Sequence, residues 1–241
     1  MTGTPDLAGA AGAPDSTGLP AFLEPLAQRL VGGREVLAEP LRPVPPDAEP
    51  RRSAVLLLIS GTELEGASLL LEERAHSMRS QPAQFSLPGG GVEPEDADDI
   101  ATALREAHEE TGLDPRSVTV LGAFAPIAMP WRNYSVRPVV AHVPAAPSLA
   151  AHDPREVESV LWAPLVGAGS LTDPAVRRIG LLDGAPTGPA FDLPGEAFVW
   201  GFTAMIVESL LASLGAPVPA GARPRVEVPE LRRRGSGRRT R

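Results

Sequence analysis

The run Leu87-Pro88-Gly89-Gly90-Gly91, followed by Arg105-Glu106-Ala107-His108-Glu109-Glu110-Thr111-Gly112-Leu113, decides how this chain is read. The second segment has helical spacing, and a helix over 96–111 is expected. Asp96 is positioned to cap its start, with Asp99 three residues on, and Gly112 is positioned to stop it. On that helix Glu106, Glu109 and Glu110 form one acidic patch, because residues three and four apart are neighbours. Like charges so placed repel, and a cluster near the helix C-terminus also opposes the macrodipole. A hard divalent cation is the natural counterweight. Oxygen donors alone suit Mg²⁺ or Mn²⁺, with water and phosphate oxygens completing the shell. Arg105, four before Glu109, is placed to hold that glutamate. The glycines just upstream would let backbone approach a metal or phosphate closely. A solvated acidic face is the ordinary reading of such a helix, and the preceding Pro-Gly-Gly-Gly turn argues against it.

Outward from this centre, Ser53–Ser60 is a continuous aliphatic run with the length of a buried strand, and 67–74 reads as its partner across a hairpin loop at 61–66. Residues 75–91 read as an irregular loop. Further strands are expected at 117–127, 134–143 and 156–162, with helices at 21–31 and 196–214. Strands with interspersed helices point to an α/β fold, a mixed sheet covered on its faces.

Composition removes whole classes of chemistry. The 241 residues include no cysteine and no lysine. Disulfides, thiolate metal sites, a Cys nucleophile, a Walker A loop and Schiff-base chemistry are therefore absent. No Gly-x-Ser-x-Gly elbow occurs. His76, His108, His142 and His152 lack zinc-ligand spacing and read as surface or loop residues. The net charge is −8, yet residues 221–241 hold eight Arg against two Glu, so the body is more acidic than the total suggests. An acidic body is a poor bulk binder of nucleic acid. No signal-peptide pattern opens the chain and no apolar run is long enough to span a bilayer, so a cytoplasmic protein without membrane contact is expected.

The two motifs together resemble the Nudix box of the Nudix hydrolases. The usual spacing is Gly, five residues, Glu, seven residues, Arg-Glu. Here Ala97 stands eight before Arg105, while Gly90 plus five intervening residues reaches Asp96, leaving the box one residue longer. This stretched box, with Thr102-Ala103-Leu104-Arg105-Glu106, is similar to the coenzyme A pyrophosphatase branch. That branch carries an upstream motif, matched here by Leu70-Leu71, Arg74-Ala75, Arg79 and Pro88-Gly89-Gly90. Glu72 stands where Thr is usual, Ala83 where Gly is usual and Leu87 where Phe is usual. Tyr134-Ser135-Val136-Arg137-Pro138 and Gly201-Phe202-Thr203-Ala204 resemble the branch more loosely.

The resemblance implies a Nudix-type α/β/α sandwich with a central mixed sheet, expected over 20–215. A disordered leader (1–19) and a disordered Arg-rich tail (216–241) are expected to flank it. It implies Mg²⁺ or Mn²⁺ on Glu106, Glu109 and Glu110, with Arg105 orienting a glutamate. Arg74, Arg79, Gly89 and Gly90 are the substrate-binding candidates, two guanidinium groups being suited to gripping phosphates. Glu156 and Glu158 are candidates for a later-loop carboxylate, and either is equally well read as a solvated strand end. Trp131-Arg132 reads as a loop anchor or a base-stacking lip. The implied substrate is a small molecule, coenzyme A or a derivative, split at its pyrophosphate. Alternatives are another nucleoside-diphosphate derivative, a catalytically silent ligand sensor, or an RNA-associated role through the tail. A homodimer is left open.

Overall fold

The computed structural model describes residues 18–37, 41, 49–129 and 133–233. In chain order it contains α1 (Glu24–Leu30), β1 (Arg51–Ser60), β2 (Ser68–Arg74), β3 (Phe85–Ser86), β4 (Gly89–Gly91), α2 (Asp99–Thr111), β5 (Thr119–Ala123), β6 (Ile127–Met129), β7 (Tyr134–Val143), β8 (Val157–Pro164), β9 (Arg177–Leu182), β10 (Ala185–Leu193), β11 (Ala197–Trp200), α3 (Gly201–Ser213) and β12 (Arg225–Glu227).

The aliphatic run of β1 is continuous because both of its faces are covered. Ala54, Leu56 and Leu58 pack under α2 with Ala103 and Ala107. Leu57 and Ile59 point the other way, into the larger core shared with Leu26 and Leu30 of α1 and Leu210 and Leu211 of α3. β1 is central: it runs parallel to β7 over ten residue pairs, from Arg51 opposite Tyr134 to Ser60 opposite Val143, and antiparallel to β2 and β4. The sheet follows β3-β2-β1-β7-β5, with β6 on β7 and β8 on β2. Helices on both faces of a mixed sheet make this an α/β fold. Ala103 and Ala107 are small, one turn apart and fully buried, so α2 lies close over β1.

Several expectations need correction. The helix cap is Asp98, whose side chain accepts from the Ala101 amide at 2.8 Å; Asp96 is engaged elsewhere. Residues 85–91 are not all irregular, since β3 and β4 lie there and β4 pairs with β1. The strand expected over 117–127 breaks into β5 and β6. Gly122 has φ +139°, and a Cβ there would meet Leu30 Cβ of α1 at 2.9 Å. The apolar stretch 196–214 is not one helix. Ala197-Phe198-Val199-Trp200 is strand, matching its β-branched and aromatic content, and Gly201 at φ +65° turns the chain into α3. His142 is a buried strand residue, 4% exposed, bonded to the Gly61 carbonyl at 2.8 Å, not a surface histidine.

The largest difference is a second sheet, β11-β10-β9-β12, which α3 covers. Its last strand lies in the segment expected to be a disordered tail. β12 runs parallel to β9, and Val228 beyond it is fully buried. Three of the arginines that made this segment look like a solvated tail, Arg223, Arg232 and Arg233, are paired. Arg223 bridges Glu208 at 2.5 Å, Arg233 bridges Glu227 at 3.1 Å, and Arg232 reaches Glu73 at 3.0 Å. These three are engaged with the body of the protein, while Arg234, Arg238, Arg239 and Arg241 lie outside the described residues. Residues 1–17 and 234–241, and with them most of the expected leader and the end of the tail, lie outside the described residues, as do Trp131 and Arg132. No helix among the described residues is long and apolar enough to cross a membrane.

Candidate active site

β4 and α2 form the two walls of the site, and both are set by local sequence. Gly89 has φ +155°, and a Cβ on it would come within 2.3 Å of the Ala54 carbonyl oxygen and 2.7 Å of Val55 Cα. Only glycine fits between that conformation and β1. Its amide donates to Glu110 Oε2 at 2.8 Å, so the turn and the acidic helix are joined directly. At Gly90 a Cβ would lie 2.5 Å from the Glu106 carboxyl carbon; that carboxylate rests on bare backbone.

The three box glutamates have different surroundings. Glu110 is buried, 3% exposed, and Glu106 is half-buried. The Glu109 side chain is 55% exposed. Burial, then the facing Glu72 charge, pushes the Glu110 carboxyl up to about 10. Burial raises Glu106 as well, the neighbouring charges of Glu109 and Glu156 adding to it against the opposing pull of Arg105. Of the two later carboxylates, Glu156 is therefore the one whose charge reaches the site. Both Glu156 and Glu158 are exposed.

Arg105 organises the helix end. Its Nε and one terminal nitrogen bond the two Asp96 oxygens at 3.0 Å each, and that same terminal nitrogen also donates to the Gly91 carbonyl. Its other terminal nitrogen is shared between Glu106 and Glu109, 3.0 Å from each. Asp96, expected as a cap, is thus the anchor of Arg105. The Arg105 bonds hold its carboxyl down to about 2, against an ordinary 3.8, with the Glu93 amide and the Thr102 hydroxyl assisting. A depressed acid stabilises the fold above its unfolded value and loses that contribution as pH falls through the folded one. We expect Asp96→Asn to cost about 1–2 kcal/mol at pH 7, read as a lower urea midpoint. The difference from the parent should shrink below pH 4; a constant difference down to pH 2 would count against this account.

A residue that the sequence reading did not place here is Glu72 of β2. It is 1% exposed, and burial pushes its carboxyl up to about 7. One oxygen accepts from the Ser86 hydroxyl at 3.1 Å. Arg74, two residues on, exerts its charge on both Glu72 and Glu110 and contacts Met78 Sδ at 3.0 Å. Arg79 is exposed on the following loop. Gly89, Gly90, Glu72, Arg74, Glu106 and Glu110 are therefore brought together. Glu109 sits at the rim, and Arg79 and Glu158 do not join them. Ala83, where the resembled branch has Gly, has φ +56°, and the Arg232 guanidinium bonds its carbonyl.

Among the described residues no three acidic or histidine side chains yet enclose a common point. Glu106 and Glu109 are drawn to Arg105. The donors nevertheless suit a hard divalent cation. They are all oxygens, they repel one another, and Glu72 Oε2 is buried without a hydrogen-bond partner.

The chain is similar to known proteins of one family. The NUDIX domain model matches residues 50–179. The Nudix hydrolase NudL of Enterobacter sp. (strain 638) is 37% identical over 170 residues, covering 68% of this chain and 83% of that protein. A nudix hydrolase of Schizosaccharomyces pombe is 31% identical over 176 residues, covering 73% of this chain and 60% of its own length. Among solved structures, the Nudix hydrolase RenU of M. smegmatis aligns with a TM-score of 0.46 at 22% identity, over 72% of this chain and 90% of its own.

Proposed function

Since this chain belongs to the Nudix family, we propose that it hydrolyses the pyrophosphate linkage of coenzyme A or a close derivative. The products are 4'-phosphopantetheine and adenosine 3',5'-bisphosphate. The observation that carries the reaction class is the Gly89–Glu110 contact, which fixes an acidic helix against a glycine turn that backbone and phosphate can both approach. The coenzyme A assignment rests on the upstream motif with Arg74 and Arg79, which resembles that branch.

Glu106 and Glu110, supported by Glu109, would hold Mg²⁺ or Mn²⁺, which when bound neutralises phosphate oxygens and lowers the pKa of a water. The chain's own residues prepare that site. Arg105 keeps Asp96 on two of its arms and offers the third to Glu106 and Glu109, so these two can leave it without the helix end losing its anchor. Arg74, beside the carboxylates, balances part of their charge before substrate arrives. Arg79, on the exposed loop, meets substrate phosphate from the solvent side. Glu156, within electrostatic reach of Glu106, is the later-loop carboxylate best placed to take a proton from water.

Coenzyme A is incubated with Mg²⁺ or Mn²⁺ and the products are separated by chromatography, beside NADH and ADP-ribose. Both phosphorylated fragments are expected from coenzyme A. Turnover of NADH or ADP-ribose alone would keep the reaction and move the substrate to another nucleoside-diphosphate derivative. Silence across the panel would favour a ligand sensor.

A further inference from the structure

Side chains alternate along β2. Leu69 and Leu71 enter the core under α1 and α3, while Leu70 packs with Ala103 and Ala107 of α2. Glu72 therefore follows Leu70 onto the face covered by α2, and Glu73 turns to the opposite face, where it meets Ser159 and Arg232. The two adjacent glutamates serve different sides of the sheet. Glu72 and Glu110 are both buried there, 1% and 3% exposed, with their carboxyl groups beside each other. Glu72 Oε1 is satisfied by Ser86 and Glu72 Oε2 has no hydrogen-bond partner.

Two carboxyl groups forced together away from water need either a shared proton or a cation between them. A fold that needed only a hydrogen bond at this position would be served by an amide or a hydroxyl, with no charge to bury. A buried carboxylate with one oxygen left unpartnered beside Glu110 is suited instead to a ligand. We propose that Glu72 is a further carboxylate of this chain's metal centre, contributing its free oxygen to a divalent cation held jointly with Glu110. The inference rests on the metal-dependent reading given above, and it assigns a ligand from β2 rather than from the acidic helix.

Mn²⁺ binding to the full chain, followed without substrate by electron paramagnetic resonance or calorimetry, tests it. The comparison is between the parent, Glu72→Gln, Glu72→Thr and Glu110→Gln. Gln can donate to Glu110 and still accept from Ser86, so the local packing survives while the charge is lost. Glu72→Gln should weaken Mn²⁺ binding about 10–100-fold and leave thermal unfolding in EDTA no lower than the parent's. Glu72→Thr, a second variant in case the first fails to fold, should weaken binding to the same extent. Parental affinity in both Glu72 variants, with affinity lost in Glu110→Gln, overturns the assignment of Glu72 alone. Parental affinity in Glu110→Gln as well would overturn the metal-centre reading beneath it.

Discussion

Glu110→Gln is expected to lower metal-dependent hydrolysis about 10²–10³-fold. The substitution preserves shape. The amide oxygen can still accept from the Gly89 N–H, and the new NH₂ can donate to Glu72, where the parent sets two carboxyl groups against each other. What disappears is the ability to carry a charge in a buried position, which is where an oxygen ligand acts most strongly on a cation. The same change relieves repulsion in the metal-free protein, so its unfolding temperature in EDTA should equal or exceed the parent's. Loss of activity together with unimpaired metal-free stability separates a functional carboxylate from a structural one. Near-parental turnover would remove Glu110 from the reaction.

The second large effect is structural and lies far along the chain. Arg232 is 7% exposed. It bonds Glu73 at 3.0 Å, the Ala83 carbonyl, and the Glu196 carbonyl at 2.8 Å; its guanidinium lies over the Phe85 ring, 4.7 Å from the centroid; and its own carbonyl accepts from Gln84 at 3.0 Å. Arg232→Ala strands two carbonyls and leaves Glu73 to Ser159 and His76 alone, and removal of one partner from a buried pair costs about 3–5 kcal/mol. The urea midpoint should fall accordingly. KM should rise with it, since Ala83 at positive φ closes the loop that carries Arg79. Lys should restore little, because an ammonium cannot span three acceptors and a ring face as a planar guanidinium does. A loss under 1 kcal/mol would show that the loop holds itself.

How far the sequence discloses this architecture varies with the element. β1 could be read because an unbroken aliphatic run between turn residues has few other solutions. α2 was visible in its spacing and in Gly112, which adopts φ +73° as a helix-ending glycine should. Its cap was misplaced because Asp96 and Asp98 are chemically equivalent there, and only the third dimension gives Asp96 to Arg105. The second sheet was missed because its strands carry Gly180, Gly188, Pro186 and Pro189, residues that read as punctuation yet sit in β9 and β10 beside a bulge between Pro186 and Gly188. Glu72 could have been found: a carboxylate two residues beyond Leu70 in a buried strand shares its face. By the motif alone it is only a departure from the usual Thr.

The brace on the 75–84 loop has a consequence in time. Glu73 and Arg232 are 159 positions apart. A chain emerging from the ribosome displays β1, β2, the glycine turn and the acidic helix long before Arg232 has been made. Throughout that interval the loop around Ala83 lacks the guanidinium that ties it to Glu73 and Glu196, and β9 lacks its outer neighbour. The half of the molecule that carries the candidate site is thus translated first and secured last. Stalling synthesis before residue 232 should leave a nascent chain whose 75–84 loop is cut readily by protease, and the cleavage should fade once the brace is added.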